Sequence, residues 1–197
     1  MTYISGLRLD CRTVALLAIA VAMGMAGRLA FLWWPNVMLS YFIVAAVAIA
    51  YHPLLGALTG ALTMLLTDMV VGFAPTSLFT ITGLAIFGLA IGVFGRAAGW
   101  HRRAWGRPHA ALAWVLGSGL VAAYSLYTDL GTTLFLVGGG GDFLTKYAVV
   151  ATAGLAFNIP MMAVNGALFG LALHPVLDAV QTIQPMETFH ETREAPV

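Results

Sequence analysis

Charged side chains are scarce in this sequence. Aspartate, glutamate, lysine and arginine together make up 9% of its 197 residues, whereas 60% are hydrophobic. A soluble domain is about a quarter charged and nearer half apolar. Because a fold surrounded by water could not bury so much apolar surface, we expect lipid to surround much of the chain. The net charge of +1 gives no sign of a nucleic-acid partner, and none is expected.

The residues that carry familiar chemistry are also few. Cys11 is the single cysteine, which excludes an internal disulfide and a Cys-x-x-Cys pair. Lys146 is the single lysine and Thr145 precedes it, so no Gly-Lys-Ser/Thr phosphate-binding loop is present. The segment HETRE at 190–194 lacks the second histidine of a zinc-protease motif, and there is no Gly-x-Ser-x-Gly. We therefore expect no built-in ATPase, no catalytic residue, no metal and no cofactor.

Long apolar runs dominate what is present. About 20 apolar residues cross the hydrocarbon core as a helix, and breaks such as WWPN, YHP, GFAPTS and HP separate runs near this length. The predicted helices are 13–32, 37–50, 54–71, 78–95, 110–127 and 147–173. The second is short, so we expect it to tilt, lie shallow or be shielded by its neighbours. The predicted fold is an all-α integral membrane protein, a bundle of six transmembrane helices in one domain, 1–180.

Four of the nine basic residues lie within one stretch, 94–109, as Arg96, Arg102, Arg103 and Arg107. Lysine and arginine are enriched in cytoplasmic loops, and this bias sets the orientation of a membrane protein. If the stretch is cytoplasmic, six crossings place both termini in the cytoplasm as well. The polar segment 181–197 is then predicted to be a disordered cytoplasmic tail of a multi-pass protein of the cell membrane.

A few polar side chains interrupt the apolar helices near their predicted outer ends. Arg28 and Asp68 lie at matching depths, roughly 21–23 Å from the cytoplasmic ends of their helices. They predict either a water-filled outer pocket or a structural ion pair, and Arg28 could also extend to the interface. Asp129 lies near the outer end of the fifth helix. Asn158 and Asn165 share one face of the sixth, where we favour ligand binding for Asn158 and packing for Asn165.

Aromatic residues and a glycine-rich segment gather toward the same side. An aromatic belt explains most such residues, and a flat ligand would use a few of them. The aromatic set is Trp33, Trp34, Tyr41, Phe73, Tyr124, Tyr127 and Tyr147. The connection 128–146 contains VGGGGDF, in which four glycines leave the backbone nearly unrestricted. This segment predicts either a mobile lid over a site or a plain flexible loop.

Small residues recur every four positions on two helices. Ala18, Ala22 and Ala26 form a smooth stripe on the first helix that would allow another backbone to approach closely. Gly56 and Gly60 repeat the pattern on the third helix. We expect packing within the bundle for the third helix, and either internal packing or a partner-facing surface for the first.

The sequence resembles the substrate-binding S components of energy-coupling factor (ECF) transporters over about 15–180. The resemblance rests on four segments in order: AGRLAFLWWPNVMLSYFIVAAVA, HPLLGALTGALTMLLTDMVVGFAPTS, GLAIFGLAIGVFGR and AGLAFNIPMMAVNGALFGLALHPVLDAV. It implies a six-helix protein of a prokaryotic membrane that captures a vitamin or related micronutrient from outside. Its implied partners are a membrane scaffold subunit, T, and two cytoplasmic ATPases, onto which it docks before toppling to release substrate inward.

The resemblance also implies roles for particular residues. Ala18, Ala22 and Ala26 match the docking positions of the family, and the ligand site would use loops after helices one, three and five. Together with the polar residues, the expected substrate-binding set is Arg28, Trp33, Trp34, Asn36, Tyr41, Asp68, Phe73, Thr76, Tyr127, Asp129 and Asn158. The opening GR-x-x-F…PN is most similar to members grouped with cobalamin or uncharacterised substrates, whereas FAPTS departs from the expected Trp-Pro-like element.

Two other classes of function are open from the sequence. A solitary secondary transporter could couple to protons or sodium through Asp68. A membrane enzyme acting on a lipid or isoprenoid group would need converging carboxylates, for which Asp68 and Asp129 are the candidates, although no DxxxD pair is present. Uptake that depends on separate ATPases would distinguish an ECF S component from a secondary transporter and from a membrane enzyme.

Overall fold

In lipid a helix satisfies every backbone hydrogen bond within one segment, and this chain is helical almost throughout. The computed structural model describes residues 3–4, 7–8, 10–31, 38–100, 105–135 and 142–183. A short antiparallel pair, β1 (Tyr3–Ile4) and β2 (Leu7–Arg8), precedes the helices. The helices are α1 (Cys11–Ala30), α2 (Leu39–Ala50), α3 (Pro53–Val71), α4 (Ser77–Ala97), α5 (Arg107–Phe135) and α6 (Phe143–Ile183).

Five of these helices, α1 and α3 to α6, are long and apolar enough to cross a membrane. The remaining helix, α2, has 12 residues, which at 1.5 Å per residue covers about 18 Å of a hydrocarbon core about 30 Å thick. The protein therefore has the architecture of a helical, multi-pass membrane protein. Six full crossings and two cytoplasmic termini stay predictions.

The short helix α2 lies in the middle of the bundle. Tyr41, Val44, Ala45, Ala48 and Ile49 are all fully buried, and α2 packs against α1, α3, α4 and α6. Because its neighbours cover it, α2 does not have to match the thickness of the bilayer. The prediction that neighbouring helices shield this segment is confirmed.

The predicted bounds of the last two helices are wrong. The connection expected at 128–146 is helical up to Phe135 and again from Phe143. The threonine hydroxyls there bond to carbonyls of their own helix, Thr132 to Thr128 at 3.2 Å and Thr133 to Asp129 at 2.8 Å, so the polar residues need no loop. The glycine run at 138–141 lies outside the described residues.

The break expected at His174 and Pro175 is also absent, because α6 continues through Pro160 and Pro175 to Ile183. A proline inside a helix removes one backbone hydrogen bond and bends the helix, and packing against neighbours compensates for this. Leu173 and Leu177 are buried on either side of Pro175. The first three residues of the predicted tail, 181–183, are thus helical, and the rest of it lies outside the described residues.

Helices α3 and α4 cross at backbone contact, and glycine makes this possible. A Cβ atom placed on Gly60 would lie 2.5 Å from the Leu84 carbonyl oxygen, and one on Gly88 would lie 2.6 Å from the Gly56 carbonyl oxygen. No side chain fits at these distances. The prediction of internal packing for Gly56 and Gly60 is confirmed.

Contacts between helices define two ends of the bundle. At one end, here called the ion-pair end, Arg28 of α1 meets Asp68 of α3. At the other, here called the arginine-rich end, Arg96 of α4 donates a hydrogen bond to the Tyr51 carbonyl after α2. The Trp105 amide before α5 donates to Nε2 of His174 on α6 at 3.2 Å, and the two rings lie 5.3 Å apart.

Helix α3 begins at the arginine-rich end with an unusual cap. Nδ1 of His52 accepts a hydrogen bond from the Leu54 amide at 3.2 Å, and Pro53 occupies the first helical position. Burial, and then the nearby positive charge of Arg96, lower the pKa of the His52 imidazole below its usual 6.5. Both the cap and the charge environment therefore favour the neutral ring.

The lowered pKa of His52 predicts a pH dependence of stability. The folded protein disfavours protonation of this ring. The contribution of the neutral ring to the free energy of unfolding is therefore complete above pH 6.5, and it is lost as the pH falls through the lower pKa of the folded state. We expect His52→Asn, which keeps a capping oxygen, to make the melting temperature in detergent less sensitive to pH between about 7 and 5. An unchanged pH profile in this variant would contradict the assignment.

Candidate functional site

The centre of the ion-pair end is a salt bridge between two membrane helices. Nη1 of Arg28 lies 2.8 Å from Oδ1 of Asp68, and the two side chains are 19% and 7% exposed. The same nitrogen lies 2.7 Å from the Met64 sulfur. The ion pair expected as one interpretation of these residues is confirmed, and Arg28 is directed at α3 rather than only toward the membrane surface.

A third helix completes the polar cluster. The Thr80 hydroxyl of α4 lies 3.0 Å from Oδ2 of Asp68 and 2.9 Å from the Ser77 carbonyl oxygen, so its proton is shared between them. Each oxygen of Asp68 thus has a partner on a different helix. In a low-dielectric interior, a paired and hydrogen-bonded carboxylate is far less costly than an isolated one. The cluster ties α1, α3 and α4 together at one end.

An aromatic pair lies in the core of the bundle near this cluster. The rings of Tyr41 and Tyr124 meet edge to face with centroids 5.2 Å apart, and Phe87 lies 5.2 Å from Tyr41. Tyr41 is fully buried and Tyr124 is 8% exposed. An aromatic belt at the membrane surface was one interpretation of both residues, and it is wrong because both rings are buried within the bundle. Tyr41 was also expected to bind substrate, and this stays a prediction.

A second polar site lies between α5 and α6. The Asn158 amide and the Asp129 carboxylate approach each other beside Gly154, and Oδ2 of Asp129 is buried and makes no hydrogen bond to any described residue. Both side chains reach the Cα of Gly154: a Cβ there would lie 3.1 Å from the Asn158 nitrogen and 3.4 Å from Oδ2 of Asp129. The absent side chain at Gly154 leaves room for this pair.

The two asparagines of α6 have different surroundings. Asn165 is fully buried, and its Nδ2 donates to the Met161 carbonyl at 2.8 Å. Its amide nitrogen is thus bonded within its own helix, whereas its Oδ1 is buried and has no hydrogen-bond partner among the described residues. Asn158 is half-buried at the second polar site, where it remains a candidate for ligand binding.

The other predicted site residues are dispersed around the ion-pair end. The Tyr127 hydroxyl lies 3.0 Å from the Thr82 hydroxyl, and its ring packs against Phe79 at 5.2 Å. Phe73 is 57% exposed in the turn after α3. Thr76 is half-buried immediately before α4. Trp33, Trp34 and Asn36 lie outside the described residues.

Thr80 and Met64 both contact the ion pair, and neither was predicted from the sequence. Threonine is common in apolar helices, and a methionine sulfur near an arginine gives no sequence signal. The one sequence feature that favoured Thr80 was its position three residues after Ser77, which indicates a polar first turn of the helix. Among the described ranges, no three His, Cys, Asp or Glu side chains come together as a metal site would require.

The alanine stripe of α1 is turned away from the bundle. Ala18, Ala22 and Ala26 are all exposed, whereas the opposite face, with Gly24 and Gly27, is buried. A Cβ on Gly24 would lie 2.8 Å from the Thr63 hydroxyl oxygen of α3, so α1 packs through its glycines. Internal packing is therefore not the role of the alanines in this chain.

Comparison with known proteins leaves the chain without an identified relative: no family model, no curated protein and no solved structure matches it.

Proposed function

We propose that this chain is the substrate-capturing membrane subunit of an ECF-type importer. It would bind a vitamin or related micronutrient at the outer face of a prokaryotic cell membrane, and cobalamin is the candidate that the resemblance suggests. A T scaffold subunit and two cytoplasmic ATPases would then drive release inward. The support is the sequence resemblance together with the arrangement of α1 and of the ion-pair end.

The exposed alanine stripe is the observation that carries this proposal. The positions that the resemblance assigns to docking are the ones that α1 directs outward, while its glycines pack against α3. Small exposed residues at intervals of four permit close helix–helix approach in a bilayer. A lipid-facing helix without a partner has no need of small side chains there.

The ion-pair end supports the capture of a polar substrate. Arg28 is 19% exposed, so its guanidinium, although paired, can be reached from the surface. Asp129 adds a buried oxygen without a partner among the described residues. Charged groups inside a membrane protein mark binding or transport sites by default. Mass spectrometry of small molecules that co-purify with the detergent-solubilised protein would identify the substrate class.

The docking role predicts the effect of one large side chain. Ala22→Trp is expected to abolish co-purification with a T subunit and its ATPases, because the indole holds the helices apart, while the folded subunit still melts like the wild type. Met23→Trp is the matched control, since Met23 is 56% exposed on α1 beside the stripe rather than on it. Normal assembly of Ala22→Trp would contradict the proposed docking surface.

A solitary secondary transporter is the second candidate, favoured by the position of Asp68. A buried carboxylate shared between Arg28 and Thr80 could exchange its arginine partner for a proton or a sodium ion. Uptake that persists after the ATPase partners are deleted, and that collapses with the ion gradient, would favour this candidate over the ECF subunit. The membrane-enzyme alternative has weaker support, since Asp68 contacts α1 and α4 while Asp129 contacts α6.

A further inference from the structure

An open groove runs between α5 and α6 near the arginine-rich end. It has a volume of about 320 Å³ and is lined by Ala110 and Trp114 of α5 and by Ala167, Gly170 and Leu171 of α6. The lining is almost wholly apolar, so the groove suits a hydrocarbon chain.

Glycines form the floor of this groove. A Cβ on Gly170 would lie 3.3 Å from the Ala110 carbonyl oxygen and 3.3 Å from Trp114 Cβ, and a Cβ on Gly166 would lie 2.7 Å from Trp114 Nε1. The helices therefore approach closely under the indole. Trp114 and Leu171 rise beside the floor and are 46% and 80% exposed, which gives the groove two large walls.

Arg107 lies on α5 one turn before Ala110, the first residue of that helix to line the groove. It is exposed in the first turn of α5, on the same helical face as Ala110 and Trp114, which follow it by one and two turns. No ion pair joins it to a described acidic residue, although Asp178 is exposed about two turns beyond Gly170 on α6. Its charge thus has no described partner within the protein.

The position of Arg107 has no explanation in the stability of α5. A positive side chain in the first turn of a helix opposes the helix dipole, and α5 has no acidic residue in that turn. Trp114 lies seven residues further, about 10 Å deeper, with its indole nitrogen over Gly166 of α6.

We propose that the groove between α5 and α6 binds one anionic phospholipid, with its phosphate on Arg107 and an acyl chain against Trp114 and Gly170. Basic pockets between transmembrane helices are typical sites for such headgroups. This site lies at the opposite end of the bundle from the ion pair and does not depend on the proposed import function.

The test compares lipids by native mass spectrometry of the full chain released from detergent. After delipidation, the protein is incubated with phosphatidylglycerol or phosphatidylcholine of identical acyl chains. We expect one phosphatidylglycerol to be retained and phosphatidylcholine to be lost. Equal retention of the two lipids would show only unspecific coating of the apolar surface and would overturn the proposal.

Three variants locate the site. Arg107→Gln is expected to weaken phosphatidylglycerol retention about fivefold, the effect of one basic residue near an anionic surface. Ala167→Leu, at an exposed position in the groove, should abolish retention by filling it. Ala156→Leu, exposed about three turns earlier on α6, is the control and should retain the lipid. If Ala167→Leu retained phosphatidylglycerol as the wild type does, or if Ala156→Leu lost it, the proposed location of the lipid site would be refuted.

Discussion

Arg28→Ala is expected to destabilise the protein by roughly 3 kcal/mol or more, because it leaves Asp68 as a buried charge with a single hydroxyl partner. The side chain of Asp68 is only 7% exposed, and Arg28 Nη1 is 2.8 Å from its Oδ1. We expect a large fall in melting temperature in detergent, measured by thermal scanning. Arg12→Ala removes an exposed arginine from the start of the same helix and should melt close to the wild type.

The double variant Arg28→Met/Asp68→Leu separates structure from binding. Replacing a buried ion pair with apolar side chains is often neutral for stability, whereas removing one partner is not. We therefore expect the double variant to recover most of the lost melting temperature. If the pair also holds the substrate, the recovered protein will still fail to retain the co-purifying small molecule. A single Arg28→Ala variant that melts with the wild type would contradict the ion pair itself.

Gly88→Leu is expected to have a comparably large effect, through packing alone. A Cβ at this position would lie 2.6 Å from the Gly56 carbonyl oxygen and 2.8 Å from Val44 Cγ1. The first of these atoms is backbone, so the helices α3 and α4 must separate. Overpacking typically costs about 1–3 kcal/mol, and here we expect the upper end of that range or no folded protein at all.

Gly119→Leu is the matched control for this change. Gly119 lies in α5, and a Cβ there would meet nothing within 4 Å. The same added side chain should therefore leave the melting temperature and the yield of folded protein near the wild type. Equal damage from both variants would mean that leucine in an apolar helix, rather than the crossing of α3 and α4, causes the loss.

Much of the fold could be predicted from hydropathy, because a bilayer leaves a chain few alternatives to helices. The predicted starts and ends of α1 to α4 agree closely with the structure. The predicted ends of α5 and α6 fail where polar or helix-breaking residues appear inside a helix. Thr133 bonds to its own helix. Pro175 is exposed, and the leucines two residues before and after it, Leu173 and Leu177, anchor the helix in the core. Neither circumstance is visible in the sequence.

The candidate site, like the fold, could be predicted only in part from the sequence. Matching depths along α1 and α3 pointed to Arg28 and Asp68 as a pair, since helical rise alone fixes depth. Depth does not fix rotation, so Thr80 was not predicted, and Tyr41, which was assigned to a ligand site or an aromatic belt, is fully buried in the core. Which face of a helix turns inward depends on neighbours that are distant in the chain.

The sequence by itself determined that this is a helical membrane protein. It also placed one charged residue in each of α1 and α3 at matching depths, and an arginine-rich segment between α4 and α5. Composition and spacing decide such properties, because they concern one helix and its solvent. Only the tertiary structure decided that α1 turns its glycines inward and its alanines outward, and that Asp129 meets Asn158 over Gly154. Those outcomes depend on close contact between helices, where the presence or absence of one Cβ atom selects the face that packs.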